Sequence, residues 1–352
     1  YGDAVGNEVI AFKKLFEEAG YVTQIFAETI HKKIPAGTAY PIRFMPELKE
    51  NDIVVYHFSS QCGLFETVKK LKAKIVLRYH NITPSEFFKG YDENAEKATS
   101  TGLKQVEELK DYVDYCLPVS EFNKNDLLKM GYQCEMQVIP ILIRFKDYEQ
   151  TPSQSVIEKY SDGKTNILFV GRMAPNKKVE DVISSFQCYK EHYDAEARLF
   201  LVGSYQEEDK YYKMLRKHID KLQVENVIFP GHIPFADILA YYKIADVFLC
   251  LSEHEGFCVP LVEAMYFGVP IVAYDSCAVP DTMGEELNVL KDKSSKNVAD
   301  EMMKIISEKE QTKKLIEKQY RRLECFSNEN IAKNLLKNIS DIIKSRKNNE
   351  IF

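Results

Sequence analysis

The chain has 352 residues, which is enough for two domains that each bury a core of their own. Its formal net charge is −6, and neither half shows the basic excess typical of nucleic-acid-binding proteins, so no nucleic acid is expected as a partner. The eight cysteines contain no Cys-x-x-Cys pair, no apolar run is long enough to cross a membrane, and no secretory leader is present. These features predict a cytoplasmic protein in a reducing compartment. Because the chain begins at Tyr1 without Met, this expectation concerns only the residues printed.

The first half of the chain alternates apolar runs with amphipathic segments. An amphipathic helix is predicted over residues 6–19, with Gly2 and Gly6 at its entrance and Gly20 after its end. Glycines at a helix entrance let backbone amides approach a phosphate or a sugar closely, although an ordinary helix start explains them equally well. Three strands and a second helix are predicted next, at residues 53–58, 74–80, 115–120 and 121–130.

The second half continues the same alternation after a polar, turn-rich stretch at residues 146–164, which is the expected linker. The predicted strands are at residues 166–171, 198–203, 227–231, 246–251 and 269–273, and the predicted helices are at residues 178–192, 206–222 and 235–243. Residues 295–346 are expected to be mostly helical. Strands that alternate with helices in this way are typical of parallel α/β domains.

One carboxylate, Glu263, stands in an apolar helix of the second half. Pro260 suits the first turn of that helix and Gly268 suits the position after its end, so the helix is short. An ionised side chain in a helix that is apolar nearly all round needs a hydrogen-bonding partner, and we expect a ligand or a cation. Glu255 falls in the loop between the preceding strand and this helix, where the ligands of parallel sheets collect.

A basic turn follows the strand at residues 166–171. Arg172 and Lys177 stand five residues apart there, which suits the binding of a diphosphate whose negative charge grows as a bond to it breaks. The next residue, Lys178, is also a lysine, so either ammonium could take this position. The alternative is an ordinary solvated basic turn.

A second group of polar residues follows the strand at residues 74–80. His80 and Asn81 could each donate a hydrogen bond to a sugar hydroxyl or a phosphate oxygen, although a lone histidine is more often structural. The aromatic side chains of Phe87, Phe88 and Tyr91 come next. They could form a platform for an acceptor, or they could pack in a core.

The carboxylates and the basic turn together resemble the motifs of a known family. Glu255 and Glu263 form a Glu-x7-Glu motif, with Gly-Phe after the first Glu and Gly-Val-Pro after Glu-Ala-Met. The Gly171-Arg172 pair stands upstream, with Lys177 at the spacing of a Gly-Arg-x4-Lys motif. The chain resembles the retaining nucleotide-sugar glycosyltransferases of family 4, the glycosyl transferases group 1, over nearly its whole length.

This resemblance implies the GT-B fold, in which two doubly wound, Rossmann-like domains with parallel sheets face each other across a cleft. The acceptor-side domain would comprise residues 1–150, with its first strand lying before Tyr1. The nucleotide-sugar-binding domain would comprise residues 151–325. A C-terminal helix within residues 326–352 would cross back to the first domain.

The resemblance also implies roles for the residues that match the motifs. Arg172 and Lys177 would stabilise the departing diphosphate, and Glu263 would accept hydrogen bonds from the ribose hydroxyls. Glu255 would hold the sugar, and His80 would orient it near the reacting carbon. The other expected donor-binding positions are Gly6, Gly171, Gly203, His232, Ile233, Gly256, Phe257, Cys258 and Val259.

The resulting hypothesis is a retaining hexosyltransferase that uses a UDP- or GDP-sugar and a saccharide or lipid-linked acceptor, in surface polysaccharide or glycoconjugate biosynthesis. The chain contains no Asp-x-Asp motif, so neither a divalent metal nor another cofactor is expected. The alternatives are a sugar-nucleotide epimerase of the same architecture and a catalytically silent partner subunit that binds a nucleotide sugar. Peripheral contact with the inner face of a membrane through Lys69, Lys70, Lys72 and Lys74 is a further option, beside the simpler interpretation of a solvated helix end.

Overall fold

The computed structural model describes residues 4–347. Gly2 at the predicted helix entrance and residues 348–352 at the end of the predicted C-terminal helix lie outside the described residues. The chain forms two compact units, of which the first contains residues 4–84, 97–144 and 326–347, and the second contains residues 85–96 and 145–325. No sequence pattern had indicated that the short segment 85–96 belongs to the second unit.

Eleven strands and thirteen helices form within the described residues. The strands are β1 (Phe26–Ala27), β2 (Tyr40–Pro41), β3 (Ile53–Phe58), β4 (Lys74–Tyr79), β5 (Tyr115–Cys116), β6 (Glu135–Met136), β7 (Asn166–Val170), β8 (Arg198–Val202), β9 (Val227–Gly231), β10 (Val247–Cys250) and β11 (Ile271–Ala273). The helices are α1 (Ala4–Glu18), α2 (Phe65–Val68), α3 (Glu93–Glu108), α4 (Glu121–Lys129), α5 (Gln154–Tyr160), α6 (Val179–His192), α7 (Lys210–Leu222), α8 (Phe235–Ile244), α9 (Val259–Tyr266), α10 (Val279–Met283), α11 (Ser295–Ser307), α12 (Lys309–Leu323) and α13 (Asn328–Lys347).

The predicted elements all form, with differences at their ends. The helix predicted over residues 206–222 begins only at Lys210, because the Asp209 carboxylate accepts a hydrogen bond from the backbone N–H of Gln206 and closes a separate turn there. Helix α3 was not predicted. Its buried face consists of Thr99, Gly102 and Val106, so it lacks the apolar stripe on which helix prediction depends.

The first unit is built around a parallel sheet of four strands in the order β3-β4-β5-β6. Successive side chains of a strand point to opposite faces, so Val76 and Leu77 of β4 enter different cores. Val76 packs in one cluster with Phe12 of α1 and Leu335 of α13. Leu77 packs on the other side with Val106 of α3. The last helix of the described chain therefore covers the sheet of the first unit.

The second unit contains a parallel sheet of five strands in the order β11-β10-β7-β8-β9. The chain runs outward from β7 through β8 to β9, and then returns to the other side of β7 to form β10 and β11. Helices α6 and α11 contribute Phe186 and Met302 to the core beneath these strands. The strand order reverses between β7 and β10, and in open parallel sheets such a switch point is the usual place for a ligand.

The cysteines are free thiols, and Cys116, Cys250 and Cys258 are buried. Cys250 and Cys258 bring their sulfurs to 3.9 Å. Among the helices of residues 4–347, none combines the length and the apolar character needed to cross a bilayer.

Candidate functional site

The candidate site lies at the switch point of the second unit's sheet. The loop after β7 carries Arg172 and Lys177, and the loop after β10 carries Glu255. Strands β7 and β10 are parallel hydrogen-bonded neighbours, so both loops leave the same edge of the sheet side by side. The strand order thereby brings together Lys177 and Glu255, which are 78 positions apart in the chain.

A buried asparagine joins these two loops. Asn176 lies in the 3₁₀ turn Pro175–Lys177 and is only 4% exposed. Its side-chain Nδ2 donates to the carbonyl oxygen of His254 at 3.0 Å, and its own carbonyl oxygen accepts from the backbone N–H of Glu253 at 2.9 Å. The amide satisfies backbone groups of the second loop in the interior, so it fixes the turn against that loop. Sequence reasoning missed Asn176, because nothing near it in the chain indicates so distant a partner.

Lys177 and Glu255 form a close ion pair. Lys177 Nζ donates to Oε1 of Glu255 at 2.6 Å and to Oε2 at 2.7 Å, and Glu255 is 6% exposed. Burial is the largest single effect on the pKa of Lys177 and lowers it, but the charge and hydrogen bond of Glu255 together with the neighbouring thiols outweigh it, so the pKa lies above its ordinary value. The site therefore holds an ammonium and a carboxylate in contact with little water around them.

The neighbouring Lys178 has different partners. Its backbone is left-handed, with φ +50°, and its Nζ lies 3.6 Å from Glu180 and 3.4 Å from Glu253. Glu253 also accepts a hydrogen bond from Lys293 at 2.5 Å. Of the two adjacent lysines, the structure therefore brings Lys177 to Glu255.

Arg172 is exposed at the same edge and makes no hydrogen bond or ion pair within residues 4–347. The loop that carries it approaches the loop after β8 very closely. Gly203 has φ +153°, and a Cβ atom there would lie 1.9 Å from the carbonyl oxygen of Gly171. Only glycine fits this position, so the two predicted glycine positions, Gly171 and Gly203, bring the backbones of the two loops into direct contact.

The loop after β10 turns sharply into α9. Cys258 has a left-handed backbone with φ +69°, and the helix begins at the next residue, Val259. Phe257 is buried, and its carbonyl oxygen accepts a hydrogen bond from the hydroxyl of Thr282. Gly256 is half-buried beside it. These contacts place the backbone of the predicted loop positions next to the Glu255 carboxylate.

Glu263 has two partners that the sequence did not indicate. The Tyr148 hydroxyl donates to Oε1 at 2.8 Å, and the Tyr242 hydroxyl donates to Oε2 at 2.7 Å. Burial raises the pKa of Glu263, and these two hydrogen bonds offset only part of the rise. The sequence predicts a ligand or a cation as the partner of this carboxylate, whereas the structure supplies two tyrosine hydroxyls. The tyrosines are 115 and 21 positions away in the chain, so no local pattern could have identified them.

Two of the expected donor-binding positions lie farther along the same edge of the sheet. His232 is exposed and Ile233 is half-buried, in the loop between β9 and α8. Strand β9 is three strand spacings from β10, which corresponds to about 14 Å. The edge that carries Lys177 and Glu255 thus continues well beyond them toward His232.

The segment at residues 85–96 packs on this unit near the site. The ring of Phe87 lies 6.1 Å from that of His254, and the ring of Tyr91 lies 5.3 Å from that of Tyr211. Phe88 is buried. Of the two interpretations of these three aromatic side chains, an acceptor platform or packing inside the protein, the contacts favour packing.

In the first unit, His80 follows β4 and enters a buried charged cluster. Its side chain is 3% exposed, and its Nε2 lies 3.0 Å from Nδ1 of His57 and 3.4 Å from Oε2 of Glu8. Glu8 accepts two hydrogen bonds from Arg78, at 2.6 Å and 3.0 Å. Burial lowers the pKa of His57 to about 3, so this imidazole is neutral.

Two further predicted positions in the first unit belong to its framework. Asn81 has φ +78°, and its Nδ2 donates to Oδ1 of Asn123 at 3.0 Å. The described part of helix α1 begins at Ala4, two residues before the predicted start, so Gly6 lies in its first turn.

Two clusters hold enough donor atoms to be considered as metal sites: Glu8 with His57 and His80, and Glu255 with Cys250 and Cys258. In both, the carboxylate already faces a cation of the protein, Arg78 in the first and Lys177 in the second. A divalent ion would be repelled by these cations at short range in a poorly solvated place. The donor sets therefore do not fit a resident metal ion.

Solved structures with similar folds define the class of protein. Sucrose-phosphate synthase from Thermosynechococcus elongatus gives a TM-score of 0.73 over 95% of this chain and 92% of that chain, at 16% identity. HepE from Anabaena, solved in complex with UDP-glucose, gives a TM-score of 0.64 over 77% and 73% of the two chains, at 20% identity. The fold is GT-B, with two Rossmann-like units built on parallel sheets.

The second unit carries the match to a known family. Residues 151–322 match the family described as glycosyl transferases group 1. O-antigen chain mannosyltransferase B from Escherichia coli is 27% identical over 188 residues, which are 52% of this chain and 49% of that protein. The chain thus spans about half the length of this curated relative.

Proposed function

We propose that this protein is a retaining, metal-independent glycosyltransferase of family 4 that moves a hexose from a nucleoside-diphosphate sugar to a saccharide or lipid-linked acceptor. The observation that carries the proposal is the Lys177–Glu255 ion pair beside the exposed Arg172, at the switch point of a parallel sheet. Nucleotides and phosphates bind at this edge of doubly wound sheets. The cations Lys177 and Arg172 suit a diphosphate, and the Glu255 carboxylate suits a sugar because it accepts hydrogen bonds from hydroxyls.

The cations would act on the leaving group. As the bond between the sugar and the diphosphate breaks, negative charge grows on the phosphate oxygens. Lys177 supplies a compact charge in a poorly solvated place, and Arg172 supplies a planar fork that matches two phosphate oxygens. Both charges are present before the reaction begins, so they favour the transition state without waiting for water to reorganise.

Glu255 would bind the transferred sugar. When a phosphate takes over part of the Lys177 ammonium, the carboxylate regains acceptor positions for sugar hydroxyls. The acceptor hydroxyl then attacks the anomeric carbon from the face that the diphosphate leaves, and the departing phosphate oxygen takes the acceptor's proton. One carbon–oxygen bond forms as another breaks, and neither Glu255 nor Glu263 becomes covalently attached. The role proposed for His80 is to orient the transferred sugar.

The substrate classes are proposed from the related proteins. O-antigen chain mannosyltransferase B is named for mannose and for a surface polysaccharide, and HepE holds UDP-glucose. These names support a UDP- or GDP-hexose as the donor and a growing glycan as the acceptor. The proposal places the protein in the cytoplasm.

Membrane contact through the lysines at residues 69–74 has a simpler explanation. Lys69 pairs with Glu66 at 3.3 Å and with Glu108 at 2.5 Å, and Lys72 lies 3.8 Å from Glu47. These ion pairs account for two of the four lysines at this helix end without a lipid, and membrane contact is not part of the proposal.

The test begins with a thermal-shift screen of UDP, GDP and ADP. The nucleotide of the natural donor should raise the melting temperature, because a ligand at 100 times its Kd adds about 2.7 kcal/mol of stability. Its hexose derivative should then release that nucleoside diphosphate, slowly with water and faster with a glycan acceptor. A donor changed without release of its nucleotide would indicate an epimerase, and binding without turnover would indicate a silent subunit. Failure of every nucleotide to bind would contradict the proposal altogether.

A further inference from the structure

Two cysteines of the first unit meet where β5 and β6 lie side by side. Cys116 is the last residue of β5, and Cys134 stands immediately before β6. The strands pair in parallel with Cys116 opposite Met136. Because alternate side chains of a strand share a face, Cys134 points to the same face as Met136. The sulfurs of the two cysteines consequently lie only 3.5 Å apart.

The two thiols differ in their exposure. Cys116 is completely buried in the apolar cluster that contains Leu77 and Leu127, whereas Cys134 is half-buried and packs against that cluster. A reagent in solution can therefore reach Cys134. Cys116 needs no access of its own, because its sulfur already touches that of Cys134. An accessible thiol beside a second thiol is the usual arrangement of a redox-sensitive pair.

The contact also decides which sulfur carries a negative charge. The thiol of Cys116 donates a hydrogen bond to the sulfur of Cys134, and this bond lowers the pKa of Cys134 although partial burial opposes it. The same bond, together with burial, raises the pKa of Cys116. The thiolate, which is the reactive form, therefore forms on the sulfur that a reagent can reach.

We propose that Cys116 and Cys134 are a redox-sensitive pair, which a hydroperoxide converts to a disulfide and a dithiol reductant converts back. This role is independent of the proposed function, since it uses none of the residues assigned to the donor or to the transferred sugar. In a reducing compartment the pair remains two thiols, and the bridge lasts only while an oxidant is present.

The oxidation has two steps. The Cys134 thiolate attacks one oxygen of the hydroperoxide, the O–O bond breaks, and the products are a sulfenic acid and an alcohol, or water when the reagent is hydrogen peroxide. The sulfur of Cys116 then attacks the sulfenic sulfur. The S–S bond forms, the S–O bond breaks, and the hydroxyl leaves as water with the proton of the Cys116 thiol. The two sulfurs together lose two electrons, which the hydroperoxide accepts.

Closing the bridge requires little movement. Bonded sulfurs are about 2.05 Å apart, so the two atoms must approach each other by ~1.5 Å. Strand β6 contains only two residues, so a shift of Cys134 disturbs few hydrogen bonds of the sheet. The bridge would close a loop between cysteines that are 18 positions apart, and this loop contains α4. A cross-link of this kind stabilises the folded state by restricting the unfolded chain.

A second close pair of thiols provides a matched control. The sulfurs of Cys250 and Cys258 lie 3.9 Å apart, but these residues are only 2% and 7% exposed. If distance alone decided the reaction, both pairs would form a disulfide. Because a reagent must also reach one sulfur, we expect the folded protein to form the bridge between Cys116 and Cys134 at least about tenfold faster.

The experiment treats the reduced full chain with hydrogen peroxide, unfolds it in an alkylating reagent that blocks the remaining thiols, and digests it without a reductant. Trypsin separates Cys116 from Cys134, because Lys124 and Lys129 lie between them. Mass spectrometry should find the two peptides joined, and lighter by two hydrogens than the separate peptides. The oxidised protein should melt roughly 5 °C higher than the reduced protein, and dithiothreitol should reverse this shift.

Three variants test the roles of the two sulfurs. Cys134→Ser should abolish the joined peptides and the shift in melting temperature. Cys116→Ala keeps the accessible thiol but removes its partner, so oxidation of Cys134 should continue to the sulfinic acid. Cys325→Ser removes an exposed thiol elsewhere and should leave the bridge unchanged.

Three results would overturn the proposal. The first is wild-type Cys134 that stays a thiol under peroxide, and the second is its conversion to a sulfinic acid without a bridge. The third is a bridge between Cys250 and Cys258 that forms as fast as the one between Cys116 and Cys134, because it would show that access does not select the pair.

Discussion

Lys177 and Lys178 are adjacent in the chain but differ in the contacts that decide their chemistry. Lys177 touches both oxygens of a carboxylate that is almost completely buried. Lys178 shares two partly exposed carboxylates and has a left-handed backbone. Because the backbone of Lys178 is left-handed, the two neighbouring side chains lie in different surroundings. We therefore expect substitutions at the two positions to have different effects.

Replacing Lys177 with alanine should lower kcat at saturating donor by about 10²- to 10³-fold, the usual effect of losing one transition-state stabilising group. Lys178→Ala is the matched control and should change kcat by less than about threefold, since its charge is balanced by partly exposed carboxylates. Steady-state kinetics with a hexose donor would measure both. Equal losses in the two variants would contradict the assignment of Lys177.

The same substitution separates catalysis from folding. Lys177→Ala leaves the Glu255 charge nearly buried without its partner, which should also lower the free energy of unfolding, by up to about 3 kcal/mol. Adding Glu255→Gln removes that unpaired charge, so the double variant should regain stability while turnover stays low. Denaturant unfolding and kinetics on the same samples would show whether the two effects divide in this way.

Gly203 is the residue at which the site tolerates least change. A Cβ atom there would overlap the carbonyl oxygen of Gly171, and φ is +153°, so Gly203→Ala should cost about 3 kcal/mol or more of unfolding free energy and weaken nucleotide binding. Gly163 also has a positive φ but has no atom within 4 Å of the added Cβ, so Gly163→Ala should cost only about 1 kcal/mol. Similar melting temperatures for the two variants would disprove the close approach of the loops.

At the scale of elements, the site depends on how the 3₁₀ turn at Pro175–Lys177 is held against the loop after β10. The hydrogen bonds of Asn176 to His254 and Glu253 do this in the interior. Because Lys177 is the last residue of the turn, its ammonium is positioned by the same contacts. The side chain that we propose to act on the diphosphate is thus set in place by a neutral neighbour.

Asn176→Ala should lower kcat by about tenfold or more while the donor's KM changes less, because the Lys177 ammonium loses its fixed position but keeps its charge. The lost buried hydrogen bond should also cost about 1–3 kcal/mol of stability. Asn226→Ala, at a left-handed position in the loop before β9, is a control outside the turn. An unchanged kcat in Asn176→Ala would show that the turn keeps its position without the amide.

The elements also show which patterns in a sequence are informative. Helix α9 was predicted from its boundary signals, Pro260 and Gly268, together with its apolar content. Helix α3 was missed because small and polar residues form its buried face. Patterns of hydrophobicity identify the elements that bury apolar side chains. They fail for a helix whose buried face consists of small and polar residues.

At the scale of the whole molecule, each unit is assembled from separate stretches of the chain. Residues 85–96 belong to the second unit although they lie within the first half of the sequence, and α13 covers the first unit although it follows the second. Where a segment joins the unit that is distant in sequence, its side chains are buried against residues far away in the chain and not against their sequence neighbours. The apolar face of α13 requires Phe12 and Val76, which are hundreds of positions earlier.

Leu335→Ala in α13 should destabilise the first unit by about 3 kcal/mol, the usual cost of emptying a fully buried leucine site. Lys333→Ala on the exposed face of the same helix is the matched control and should change stability by less than about 0.5 kcal/mol. Hydrogen exchange should accelerate in α1 and β4 but not in β7 and β8. Faster exchange in the second unit alone would contradict the placement of α13.

The sequence by itself determined the alternation of strands and helices, the parallel α/β class, the loops that carry Arg172, Lys177 and Glu255, and the short helix that carries Glu263, since the hydrophobic period and the residues that end a helix act locally. Only the tertiary structure decided what these residues touch. The order of β7 and β10 brings Lys177 to Glu255, and two distant tyrosines converge on Glu263. Strand order and long-range side-chain contacts depend on how complete elements pack together, and no local pattern of residues encodes that information.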